Sequence, residues 1–189
     1  MKRTQIVLLF TLMFVTGCQA RQSEKSGLSD RTAQNDSVPE LSARVVDYAN
    51  LLTSEQELRL AELLTSLEDS MGSQMVVHTV NTLDGKTIEE YSMNVANHWK
   101  IGRKGVDDGI LITLALQERM ARIEVGYGLE LIVRDEIAKR IIDSTMAPHF
   151  SGGEYYTGLM SGCEAVSQLI YDNPQWVGKR REPTSVDDQ

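Results

Sequence analysis

The sequence predicts an α/β fold: a three-layer α/β/α sandwich on a mixed sheet of about four strands. Two observations carry this. Apolar runs of strand length alternate with apolar stripes of helical period in the order βαβαββαα. One of the strand-to-strand connections, between Leu116 and Arg119, is too short to hold a helix, so one antiparallel hairpin joins an otherwise helix-connected sheet.

The elements follow in order. Arg44-Val45-Val46 is a short strand ending at Asp47. Thr53 with Gln56, or Ser54 with Glu57, fits a capping box that opens a helix. Leu60, Leu64, Leu67 and Met71 form its stripe, and Gly72 suits the left-handed position past its end. Met75–Val80 is a nearly continuous apolar run. Thr87 with Glu90 forms a second capping box, and Ile88, Tyr91, Val95 and Trp99 line the helix that it opens. Ile110–Leu116 reads as a buried central strand, whereas Met120–Val125 alternates. If Gln117-Glu118 is a two-residue loop, Leu116 faces Arg119, Gly109 faces Gly126, Asp108 faces Tyr127 and Asp107 faces Gly128. Ile137, Ile141 and Ile142 belong to a helix expected to stop at Pro148. Tyr155, Leu159, Cys163, Val166 and Ile170 mark the last one.

Composition narrows the function classes. The 189 residues carry 19 Lys+Arg against 27 Asp+Glu, a formal charge of −8, which argues against nucleic acid as a partner. Two Cys are too few for a disulfide-stapled scaffold or a four-thiolate zinc site. At the N-terminus, Lys2 and Arg3 precede an apolar run over Ile6–Val15 that is too short to span a bilayer and fits a secretory signal. Val15-Thr16-Gly17-Cys18 then resembles the lipobox of bacterial lipoproteins. That resemblance implies a signal peptide over 1–17, acylation (palmitate among the chains) at Cys18, and a lipid-anchored, periplasm-facing protein of the cell envelope. Gln19 after the cysteine points to the outer membrane. Residues 18–37 contain few apolar positions and read as a flexible tether with a span on the order of 25 Å. The folded part is read as 38–171, and 172–189 as a disordered tail in which Trp176 alone is a candidate to dock.

An ordered set of segments resembles the TPM domain family of bacterial envelope and plant thylakoid-lumen photosystem-repair proteins. They are Val45-Val46-Asp47-Tyr48-Ala49, the strand Met75–Val80, Trp99-Lys100-Ile101-Gly102-Arg103-Lys104-Gly105, Asp107-Asp108-Gly109, Glu124-Val125-Gly126-Tyr127-Gly128-Leu129-Glu130, and Pro148-His149-Phe150 with Tyr155-Tyr156-Thr157-Gly158. The resemblance implies an αβα domain. Some relatives bind Ca²⁺, some hydrolyse phosphate esters, and others act as accessory factors for membrane complexes.

The expected hairpin brings Asp107-Asp108-Gly109 and Gly126-Tyr127-Gly128 to one sheet edge, with Glu130 close by. Carboxylates and closely approaching glycine backbone suit a hard cation. By resemblance to calcium-binding relatives, Asp47, Asp107 and Asp108 are the candidate metal ligands, with Glu130 and Tyr127 as further site candidates. The competing reading is that these aspartates close local turns by accepting backbone N–H groups.

Other groups are weaker candidates. His78, His98 and His149 match no zinc spacing. Cys163 falls on an apolar stripe, as a buried structural thiol would. Two functions follow from the whole: a tethered binding or accessory module for envelope protein complexes, possessing a calcium site on one reading, or a divalent-metal-assisted acid phosphatase.

Overall fold

A computed structural model describes Val38 and residues 40–180; the proposed signal peptide, Cys18 and the tether lie outside the described residues. In chain order the elements are β1 (Val45–Asp47), α1 (Ser54–Met71), β2 (Gln74–Val80), α2 (Ile88–Trp99), β3 (Gly109–Ala115) and β4 (Met120–Val125). Then come α3 (Asp135–Ile141), a π-helical stretch (Ile142–Met146), α4 (Ala147–Ser151), α5 (Tyr155–Asp172) and a 3₁₀ turn (Pro174–Trp176). The sheet order is β1-β2-β3-β4, with β1, β2 and β3 parallel and β4 antiparallel to β3. This is the mixed four-stranded α/β fold expected from the sequence.

Local chemistry sets the helix ends. Of the two possible capping boxes at α1, Thr53 forms the real one: Gln56 N–H donates to Thr53 Oγ1 at 3.3 Å and Thr53 N–H to Gln56 Oε1 at 2.9 Å. Thr87 and Glu90 make the same reciprocal pair at α2, 3.2 Å each way. Gly72 closes α1 at φ 75°, and its N–H donates to the Glu68 carbonyl at 2.7 Å.

The hairpin keeps the expected register, with Ile110 opposite Val125 and Ala115 opposite Met120, but its loop is longer. The last paired residues are Ala115 and Met120, so the loop is the four residues Leu116–Arg119, not Gln117-Glu118 alone. Leu116 N–H donates to Val80 O (2.9 Å), which turns Leu116 toward β2, and Arg119 takes the left-handed conformation at φ 54°. A four-residue loop needs only that one positive φ, which is why neither Gln117 nor Glu118 is a turn-forming residue. Glu118 ties the loop down by accepting from Leu83 N–H and Thr82 Oγ1, both at 2.9 Å.

The helix expected to stop at Pro148 continues past it. The π-helical stretch precedes Pro148, and the proline falls in the first turn of α4, where its missing N–H and its ring are tolerated. The chain after Asp172 is also attached as far as 180: Val177 packs on the main core and Gly178 N–H donates to Gly128 O at 2.8 Å. Trp176 remains 47% exposed.

Alternation in the strands divides the core between two faces. Val45, Val77, Ile110, Ile112 and Ile123 pack with Leu60, Leu64 and Leu67 of α1 and with Leu159, Cys163 and Val166 of α5. On the opposite face Val46, Val76 and Leu111 meet Val95 and Trp99 of α2. The β1-α1-β2 and β2-α2-β3 crossovers step in the same direction across the sheet but place their helices on opposite faces. They are therefore of opposite hand, an exception to the usual right-handed rule.

His78 lies under α2 with no exposed surface. Its Nδ1 is 3.2 Å from Val46 O and its Nε2 3.0 Å from Tyr91 Oη, so the neutral ring donates to the carbonyl and accepts from the phenol. Burial lowers its pKa from the ordinary 6.5 to about 4 and raises that of Tyr91 to about 12. Between those two histidine values the unfolded chain binds the proton and the folded chain does not. Stability therefore falls as pH drops from 6.5 to about 4, by on the order of 3 kcal/mol. Urea unfolding measured across that window should show this loss, and His78→Gln should flatten it. An unchanged slope in the variant would assign the acid sensitivity elsewhere.

Candidate functional site

The candidate ligands occupy two opposite ends of the sheet. Asp47 ends β1 beside Thr79, near the C-terminal end of β2. Asp107 and Asp108 precede Gly109, which pairs with Gln74 at the start of β2. Five residue steps along β2, from Gln74 to Thr79, separate these positions, about 16 Å at the usual strand rise. Asp47, Asp107 and Asp108 therefore do not converge, and the three-aspartate set does not fit one cation. The cause is strand direction: each helical crossover returns the chain to the same end of the sheet, so the end of β1 and the start of β3 lie apart. Among the described residues, no group of three or more His, Cys, Asp or Glu is arranged to hold a metal ion.

Each aspartate instead organises its own loop. Asp47 Oδ2 accepts from Leu52 N–H at 2.8 Å, and Oδ1 accepts from Thr79 Oγ1, which fastens the turn ahead of α1 to β2. Asp108 has no exposed surface. Its Oδ1 accepts from Arg103 N–H at 2.8 Å, while Oδ2 takes Arg103 Nε at 2.9 Å, Nη2 at 2.5 Å and Ser73 Oγ at 3.4 Å. The same Arg103 Nη2 donates to Met71 O at 3.3 Å. Asp108 thus locks the segment 100–108 onto the end of α1. For these two residues the turn-closing role has a contact to account for it at each oxygen.

Asp107 differs. It adopts φ 56°, is partly exposed, and pairs with Arg180 from the attached C-terminal segment. The Arg180 guanidinium also lies 6.0 Å from the centre of the Tyr127 ring. Tyr127 is 66% exposed. Asp107, Tyr127 and Glu130 do come together, on a cleft of about 380 Å³ between α2 and the β3–β4 hairpin. Glu124, Asn97 and Met93 complete its wall. Glu124 is not among the site candidates named from the sequence, although alternation along β4 sets it on the opposite face from Ile123 and Val125, the face where its partner Leu111 meets α2.

The glycines serve backbone-to-backbone packing. A Cβ on Gly109 would stand 2.0 Å from Ile101 O, and one on Gly128 would stand 1.9 Å from Val106 O. No ligand fits between those strands of chain; the glycines let the loops close on one another.

The remaining candidates fall into place as well. His149 Nδ1 is 3.0 Å from Glu154 Oε2 on the surface. Cys163 is fully buried, and burial pushes its thiol pKa well up, which removes it as a nucleophile.

With fold and geometry in hand, comparison with known proteins is informative. Residues 45–169 match the TPM domain family, and the chain belongs to that family. The solution NMR structure of the N-terminal domain of a protein from P. gingivalis is 32% identical, with a TM-score of 0.66 over 70% of this chain and 84% of that one. BA42 from Bizionia argentinensis is 18% identical, covering 73% of this chain and 90% of that one at a TM-score of 0.57. The N-terminal domain of cg2496 from Corynebacterium glutamicum is 15% identical, covering 80% and 91% at 0.55. The latter two share the fold. No curated protein sequence matches the chain.

Two outcomes are expected. Arg103→Ala should destabilise the domain by about 3–5 kcal/mol, because it strands the buried Asp108 carboxylate; Asp108→Asn should cost less, roughly 1–3 kcal/mol. Chemical denaturation of the two variants checks this order. In calorimetry with Ca²⁺, any binding isotherm should be the same for Asp47→Ala as for the parent chain, since Asp47 lies at the far end of the sheet.

Proposed function

We propose that this TPM-domain protein is a binding or accessory module for protein complexes of the bacterial cell envelope, held at the membrane by acylated Cys18 on a polar tether. The observation that carries the module reading is the commitment of the carboxylates. Asp47 and Asp108 are held by intramolecular donors, and Asp107 is paired with Arg180. A hydrolase needs a carboxylate free to attack or to take a proton, with a second group placed to assist it. Here the exposed features of the cleft are contact surface: Tyr127, Met93 and the acidic rim.

The membrane attachment rests on the sequence at 2–18. Among the described residues no helix is long and apolar enough to cross a membrane. Two or more acyl chains supply stable attachment without such a helix. A tether then raises the effective concentration of the domain near membrane partners, so individually weak contacts suffice.

The phosphatase reading has one feature in its favour, the acidic cleft containing Asp107, Glu124 and Glu130. Calcium enters the proposal only through the resemblance to calcium-binding relatives.

Crosslinking in intact cells, followed by identification of attached proteins, tests the module. Reproducible envelope partners, lost when Cys18→Ala releases the chain from the membrane fraction, are expected. Hydrolysis of an aryl phosphate by the purified chain that disappears in Asp107→Asn would overturn the reading in favour of the enzyme.

A further inference from the structure

We propose that the end of the sheet where β3 begins is a docking surface for an anionic lipid bilayer, so that the anchored domain lies against its membrane on one defined side. The inference rests on the acyl anchor proposed above and adds an orientation to it. The orientation comes from where the unpaired lysines, an exposed indole and the start of the folded chain are found.

Two segments meet at this end. Residues 100–106 carry Lys100, Arg103 and Lys104, residues 173–180 carry Lys179 and Arg180, and neither segment contains Asp or Glu, in a chain of formal charge −8. A Cβ on Gly178 would stand 2.9 Å from Val106 Cγ1, so the two segments are in contact. Arg103 and Arg180 are taken up by Asp108 and Asp107. Lys100, Lys104 and Lys179 are exposed and, among the described residues, have no ion-pair partner. The neighbouring cleft sets Glu130 against these three. Trp176 is exposed, and its carbonyl accepts the Lys179 N–H at 3.0 Å. An indole beside lysines suits the headgroup layer, which takes an apolar body and a polar tip together, while the ammonium groups meet lipid phosphates.

The start of the folded chain lies at the same place. Val38 packs on the apolar group that contains Trp99, and Ile101 packs on that group too. The tether read over 18–37 therefore joins the domain at the group holding the residues on either side of Lys100. The opposite end of the sheet has the reverse character, with Asp84, Glu89, Glu90 and Glu118 against Lys86 and Arg119. Helix α2 itself runs from Glu89 and Glu90 in its first turn to Lys100 at its cap. An acidic domain held near an anionic surface turns such a negative end away and its basic end inward. A tether with a span on the order of 25 Å keeps the bilayer, rather than a diffusing acidic protein, always within reach of these lysines.

The test uses the chain purified from the membrane fraction. It is reconstituted into vesicles of phosphatidylglycerol with phosphatidylethanolamine, or of phosphatidylcholine alone, each with brominated acyl chains. Flotation reports the anchor. Tryptophan quenching reports docking, because Trp99 is buried and Trp176 is not. Part of the emission should be quenched in the anionic vesicles, Trp176→Phe should remove that part, and high salt should restore the unquenched signal. Lys104→Glu with Lys179→Glu, shown folded by circular dichroism, should still float. Its docked-to-free ratio should fall roughly thirtyfold or more, at about fivefold for each lysine lost. A chain that floats with neither lipid fails the anchor and takes the docking with it. One that floats with both, yet is quenched equally in both or in neither, keeps the anchor and overturns the docking. So does a charge-reversed pair that behaves as the parent chain, or an acidic envelope protein crosslinked to Lys104 or Lys179 while the vesicles leave Trp176 unquenched.

Discussion

The bidentate grip of Arg103 on the buried Asp108 carboxylate is the contact on which the hairpin end of the domain depends. It closes the loop between α2 and β3 on itself and joins it to the end of α1 through Met71 O, 32 positions before Arg103, and Ser73, 35 positions before Asp108. Gln74 strengthens the same junction, its side chain accepting from Gly102 N–H at 2.8 Å and its own N–H donating to Asp108 O at 3.2 Å. A carboxylate with no exposed surface is tolerated only because charged and polar donors satisfy it. Once β3 is positioned, the glycine contacts between 101–109 and 126–128 follow, and with them the rim of the cleft.

This arrangement explains why an acidic motif that looks like a cation site is built as a joint. The aspartate side chains at 47 and 108 stabilise connections, and the more exposed one at 107 is met by a guanidinium from the C-terminal segment. The family's fold is conserved in outline among solved relatives from several bacteria, while the use of each carboxylate is decided by local partners such as Arg103 and Arg180.

Much of the fold was legible because its signals are local. Capping boxes at Thr53 and Thr87, the left-handed Gly72 and the register of the hairpin all arise from residues a few positions apart. The site was less so. Asp47 was grouped with Asp107 and Asp108 although two helical crossovers, both visible in the order of elements, make β1 and β3 parallel and send those residues to opposite ends. That signal was present and concerns direction, which periodicity does not report. The partnership of Arg180 with Asp107, 73 residues apart, had no local signature. Nor did the π-helical detour ahead of Pro148, because a proline read alone marks a break.

The opposite hands of the two crossovers leave α2, among the described residues, as the single helix on its side of the sheet, whereas α1, α3 and α5 share the other. The contacts beneath α2 form two small apolar groups, against one large group on the far side. Lifting α2 would uncover far less apolar surface than disturbing the opposite layer, so the molecule has a hard back and a soft front. Slow amide exchange should concentrate behind the sheet, and transient opening in front of it, where His78 is covered by the stacked Tyr91 ring and by the edge-on ring of Trp99.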